Sequence, residues 1–196
     1  MKQISILDTT LRDGAQGEGI SFSASDKLKI AKRLDEFGVG YIEGGFPGAS
    51  PKDIEFFEKT SKMVWKNAKI TAFGATRYKN TQCETDDAVQ AVAKSGAPAA
   101  AIVAKFSEFQ VKQILETELH EGLAMISDTV SYLRNCGLEV IVDAEHFFDG
   151  FKANQDYTLA AIKAAEEAGA NWIALCDTNG GSLVDEVRDI VAKVKS

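Results

Sequence analysis

The chain has 196 residues, 45% hydrophobic and 26% charged, the composition of an ordinary globular domain with enough apolar residues for a sizeable core. A net charge of -7 without any lysine or arginine run argues against nucleic acid and anionic membrane as partners. No stretch approaches the ~20 apolar residues of a membrane span and no signal-peptide core is present, so a cytoplasmic protein is expected; the three cysteines lack CxxC pairing and suggest neither a disulfide framework nor a structural zinc site.

Ile4 to Leu7 reads as a buried strand, because aliphatic and β-branched residues crowd together and polar residues close the run. Asp8, Arg12 and Asp13 follow directly, with Gly14 allowing a tight backbone path. A carboxylate is a hard ligand for a divalent cation and an arginine can hold a developing oxyanion, but the same residues also suit a surface ion pair.

Apolar residues at helical spacing predict a helix over Ser25 to Phe37, capped by Ser23 or Ser25 and stopped by Gly38. Next come a strand at Tyr41 to Gly45, a helix from about Lys52 to Met63, a strand at Ile70 to Gly74 and a helix over Thr85 to Ser95. The alternation continues with a strand at Ala99 to Ala104, a long helix within Thr117 to Asn135, a strand at Leu138 to Asp143 and a helix over Gln155 to Ala168. A strand at Trp172 to Cys176 and a helix over Leu183 to Val194 close the series.

Strand-helix units in unbroken series, with near-continuous apolar strands, predict a parallel sheet covered on both faces. An open doubly wound sheet would want a GxGxxG turn leading straight into a helix, which GAQGEG does not provide. A barrel of the (β/α)8 TIM type instead predicts functional side chains at the C-terminal ends of several strands. Such residues recur there: Arg12 and Asp13, Glu43, Thr76 and Arg77, Lys105, Glu145 and His146, and Asp177, Thr178 and Asn179. The expected fold class is therefore α/β, a TIM-type barrel with about six βα units in this chain, where a complete barrel takes about 250 residues.

These residues carry a resemblance. LDTTLRDGAQ, YIEGGFP, AFGATR, DAEHFFDG and LCDTNGG together resemble the metal-dependent TIM-barrel enzymes related to isopropylmalate synthase and hydroxymethylglutaryl-CoA lyase, with AFGATR and AEHFFDG pointing to the citramalate branch. The resemblance implies Asp13 as a ligand of a divalent cation (Mn, Mg or Zn) and Arg12 as the guanidinium that polarises a ketone and steadies the alkoxide or enolate. It also implies Glu145 as the strand-five glutamate that orders the site around substrate and arginine, and Thr178 as the donor to the carboxylate of a bound 2-oxo acid. Asp143, two residues before Glu145, shares its strand face and belongs to the same wall. The implied reaction condenses acetyl-CoA with a 2-oxo acid, pyruvate giving (R)-citramalate. Isopropylmalate or homocitrate synthesis, acyl-CoA cleavage of the lyase type and a non-catalytic module stand as alternatives.

The family takes its remaining metal ligands from an HxH motif on the seventh strand. This chain has only His120, in a predicted helix, and His146, read as a hydrogen bonder behind the site. Residues 1–196 are thus expected to be the N-terminal part of a single catalytic domain, incomplete at its C-terminal side, with open sheet edges covered by a second copy, as in a homodimer, or by a rearranged helix. Lys105 is either a contact for a CoA phosphate or a solvated lysine, and Glu43 faces inward, where an ion pair with Arg12 or Arg77 is its simplest role.

Overall fold

The computed structural model of the protein describes residues 4–195. Among these residues six parallel strands lie in the order of the chain: β1 (Leu7–Asp8), β2 (Tyr41–Gly45), β3 (Lys69–Ala75), β4 (Ala99–Lys105), β5 (Glu139–Glu145) and β6 (Trp172–Leu175). A doubly wound sheet reverses its strand order midway. This sheet never reverses, as a barrel requires.

The sheet also curls. Trp172 Nε1 on β6 donates to Tyr41 Oη on β2 at 2.9 Å, and Tyr41 in turn bonds Glu139 on β5. With β3 and β4 between β2 and β5, a flat sheet at about 4.8 Å per strand would hold those side chains far out of reach. Lys69 joins the same group through Glu139, which sets paired charges at the N-terminal ends of the strands.

Alternation along each strand separates two cores. Val140, Val142 and Ala144 of β5 point outward into the main apolar layer beneath the helices, whereas Ile141 packs inside with Tyr41, Phe73, Ala99 and Ala101. The helices are α1 (Ala24–Phe37), α2 (Pro51–Thr60), α3 (Asp87–Ala93), α4 (Glu108–Gln113), α5 (Leu119–Asn135), α6 (Phe147–Ala153), α7 (Gln155–Glu167) and α8 (Val184–Val194). Ser23, not Ser25, caps α1: its hydroxyl accepts from Asp26 N while Asp26 accepts from Ser23 N, both at 3.2 Å, and Gly38 at φ +94° ends the helix. Among the described residues no helix is long and apolar enough to cross a membrane.

Two expectations need correction. The first strand is two residues long and starts at Leu7; Ile4 and Ile6 are 89% and 55% exposed, because β1 has β2 on one side only and the chain before it is covered by neither layer. The stretches after β4 and β5, to which the sequence pattern assigns no element, form α4 and α6. Phe147, Phe148 and Phe151 anchor α6 by burial under the outer layer.

Candidate active site

The loop after β1 is built to present one side chain. Asp8 Oδ1 accepts from Thr10 N at 3.0 Å, and Thr9 O accepts from Arg12 N and Gly14 N, both at 3.1 Å. Leu11 is thereby pinned into the outer core at 1% exposure and Arg12 is turned into the mouth of the barrel. Its Nε donates to Glu43 Oε2 at 2.6 Å and its Nη1 to Asp13 Oδ1 at 2.9 Å. Cζ lies 3.9 Å from the centroid of the Phe73 ring, and Phe46 meets that ring edge-on at 4.8 Å. Two carboxylates and an aromatic face hold the guanidinium in one plane.

Glu43 lies wholly inside. Its backbone explains why a carboxylate ends up there: Glu43 pairs with Thr71 but Gly45 pairs with Ala72, so Gly44 is an extra residue in a β-bulge. Only glycine fits at that point, since a Cβ on Gly44 would sit 2.4 Å from Phe56 Cε1. Buried Lys27 secures the bulge from outside, donating to Gly44 O at 2.9 Å and pairing with Asp53 at 2.5 Å. Inside, Oε2 of Glu43 has Arg12, but Oε1 has no hydrogen-bond partner among the described residues. Burial pushes the Glu43 pKa up to about 7, with Arg12 pulling against it and the charges of Asp143 and Asp13 adding to the rise.

Asp143 stands further round the wall on β5. Burial raises its pKa as well, opposed by Arg12 and reinforced by Glu145 and Asp13. Glu145, expected beside the arginine, pairs with Lys105, its register neighbour on β4. The carboxylates that Arg12 meets are those of Glu43 and Asp13. Thr178 sits in the loop after β6, where its Oγ1 accepts from His146 N at 2.8 Å. Cys176 lines the same wall, but burial pushes its thiol up to about 11, so it is no thiolate nucleophile at neutral pH.

Not every strand-end residue belongs to this rim. Arg77 turns outward and is buried against α5, with Nε donating to Asp128 at 2.8 Å and Nη1 to Glu121 at 2.7 Å. Sequence pattern could not separate it from Arg12, since both are arginines just past a strand. The cradle of Phe73 and Phe46 had no signal at all in the sequence beyond its apolar character. Beside Phe73, Val103 and Lys105 opens a mostly apolar cavity of about 740 Å³, walled by Phe46 to Ala49 and by the Thr76 to Lys79 turn.

The HMGL-like family matches residues 3–196. The chain belongs to the HMGL-like family. This HMGL-like chain is 51% identical over 194 residues to the (R)-citramalate synthase of Aquifex aeolicus, covering 99% of this chain and 37% of that protein. The 2-isopropylmalate synthase of Sulfolobus acidocaldarius is 30% identical over 193 residues, covering 98% of this chain and 47% of that one. The HMGL-like chain thus spans less than half the length of these relatives. The crystal structure of the Bacillus subtilis HMG-CoA lyase superposes with a TM-score of 0.77 over all of this chain and 65% of that one, at 17% identity, which bears on the fold alone.

Divalent-metal dependence is general in the family. Among the described residues, however, no group of three or more His, Cys, Asp and Glu side chains could hold a metal ion. Asp13 is exposed and already engaged by Arg12, and a cation held by one carboxylate would remain mostly water-bound. The residues present do not by themselves make a metal site.

Proposed function

We propose that this chain supplies the 2-oxo acid side of a condensing site at which acetyl-CoA adds to pyruvate to give (R)-citramalate. The observation that carries the proposal is the guanidinium of Arg12, fixed by Glu43, Asp13 and Phe73 at the C-terminal mouth of a parallel barrel sheet. Arg12 donates to the ketone oxygen and takes up the charge that grows there as the carbon-carbon bond forms. Thr178 holds the carboxylate of the 2-oxo acid, and Asp143 and Glu145 form the wall around it. Acetyl-CoA approaches through the apolar cavity beside Phe73; its methyl group gives a proton to a general base, the enolate carbon attacks the ketone carbon, the resulting alkoxide takes up a proton to become the hydroxyl, and water then adds to the thioester carbonyl to release CoA and the new carboxylate.

Asp13 remains one carboxylate of the family's cation site. The choice of pyruvate over larger 2-oxo acids is supported by the relatives called (R)-citramalate synthase, 44–51% identical, against 30% for the isopropylmalate enzyme. The same reading makes residues 1–196 the N-terminal part of one catalytic barrel domain in a cytoplasmic homodimer serving branched-chain amino-acid biosynthesis. Light scattering on the natural full-length protein tests the dimer.

The reaction is tested by thiol release from acetyl-CoA, with the natural full-length protein and each of pyruvate, 2-oxoisovalerate and 2-oxoglutarate, before and after chelation. CoA release that needs pyruvate and stops on chelation is expected. Release independent of any 2-oxo acid, or cleavage of 3-hydroxy-3-methylglutaryl-CoA instead, refutes the proposal.

A further inference from the structure

His146 is the residue of this region that the proposed reaction leaves without a task, and its backbone is unusual. It follows β5 directly at φ +55°, ψ +32°, the left-handed region that non-glycine residues seldom occupy. Such a conformation at a strand end persists only when its surroundings enforce it. Here they do so through the loop after β6. With Nδ1 as the protonated nitrogen, assigned from the acceptor it faces, His146 approaches Asp149 Oδ2 at 3.4 Å. The same Oδ2 accepts from Asn179 Nδ2 at 2.7 Å. One carboxylate oxygen therefore ties the turn after β5 to the residue next to Thr178.

The turned backbone sends the His146 N–H to Thr178 Oγ1 at 2.8 Å. A hydroxyl has one donor and two acceptor sites. Because the N–H occupies an acceptor site, the Thr178 proton stays free to donate, which is the polarity that an incoming carboxylate needs. In an extended conformation the His146 N–H would point elsewhere and Thr178 could rotate away.

We propose that His146, Asp149 and Asn179 form a positioning clamp that presets Thr178 as a donor to the substrate carboxylate, with His146 acting through its left-handed backbone and without touching substrate itself. The clamp rests on the functional reading above, and its test keeps the two apart. In the natural full-length protein, His146→Val, which a β-branched residue makes hostile to positive φ, is expected to raise KM for pyruvate about tenfold and leave KM for acetyl-CoA within twofold. Thr178→Val should do the same. The double variant should be no more than twofold worse than either single one, since both act on one hydroxyl. His146→Asn, which tolerates positive φ and keeps a donor for Asp149, should restore KM to within threefold of wild type.

If His146→Val gives no folded protein, Asp149→Ala takes its place in the same cycle with the same expected result. Multiplying effects in the double variant, equal changes in both KM values, or failure of His146→Asn to rescue would overturn the clamp while pyruvate-dependent CoA release leaves the functional reading standing. A wild-type protein that neither releases CoA with pyruvate nor binds it by calorimetry overturns both.

Discussion

Glu43 should reveal itself in stability before it does so in activity. Its folded-state pKa of about 7 stands above the ordinary value of 4.5, so the folded protein holds this proton more tightly than the unfolded chain does. The stability it contributes is fully present below pH 4.5 and is lost as pH rises through 7. Between pH 5 and pH 8 the loss works out to about 2.5 kcal/mol for this one group. Glu43→Gln keeps an oxygen to accept from Arg12 Nε but cannot ionise. Urea unfolding followed by tryptophan fluorescence, with a chelator present, should therefore find the variant gaining about 2.5 kcal/mol on wild type between pH 5 and pH 8. Because the unpartnered Oε1 becomes an amide nitrogen in one of two orientations, the offset at pH 5 can take either sign. The slope is the test: parallel curves for the two proteins would mean that Glu43 is an ordinary ionised partner of Arg12, and the account of burial outweighing the ion pair would be wrong.

Arg12→Lys keeps the charge but not the planar fork over Phe73, and should lower kcat for CoA release by about 100-fold or more with little change in melting temperature. Gly44→Ala forces a methyl against Phe56 and should cost about 1 to 3 kcal/mol in chemical denaturation, with weakened activity because the bulge carries Glu43. Arg77→Met leaves the carboxylates of Glu121 and Asp128 without their cation; with Asp128 half-exposed, a loss of about 3 kcal/mol is expected, and KM for pyruvate should stay near wild type if Arg77 stands outside the site.

Much of the architecture is legible in residue order because it rests on local chemistry. The strand-helix period, a serine cap at the start of α1 and the Gly38 stop each depend on residues a few positions apart. The alternation of β5 also announces that Asp143 and Glu145 share a face, since side chains of a strand repeat every two residues. The first strand misled because an apolar run resembles a buried strand whether or not both sides of it are covered; here the sheet has only β2 to offer it. The short helices α4 and α6 were hidden because six or seven residues hold too little periodicity to read.

The site divides along the same line. Sequence alone determined which residues stand at the strand ends: Arg12 and Asp13 after β1, Asp143 and Glu145 on β5, and Thr178 after β6. Only the tertiary structure decided their pairings, because these depend on strand register and on the curl of the sheet. It chose Arg12 over Arg77 as the partner of Glu43 and laid it on Phe73, handed Glu145 to Lys105, turned Arg77 out against α5, and let His146 reach Thr178 across a gap of 32 residues. Those contacts join residues far apart in the chain, and no spacing rule extends that far.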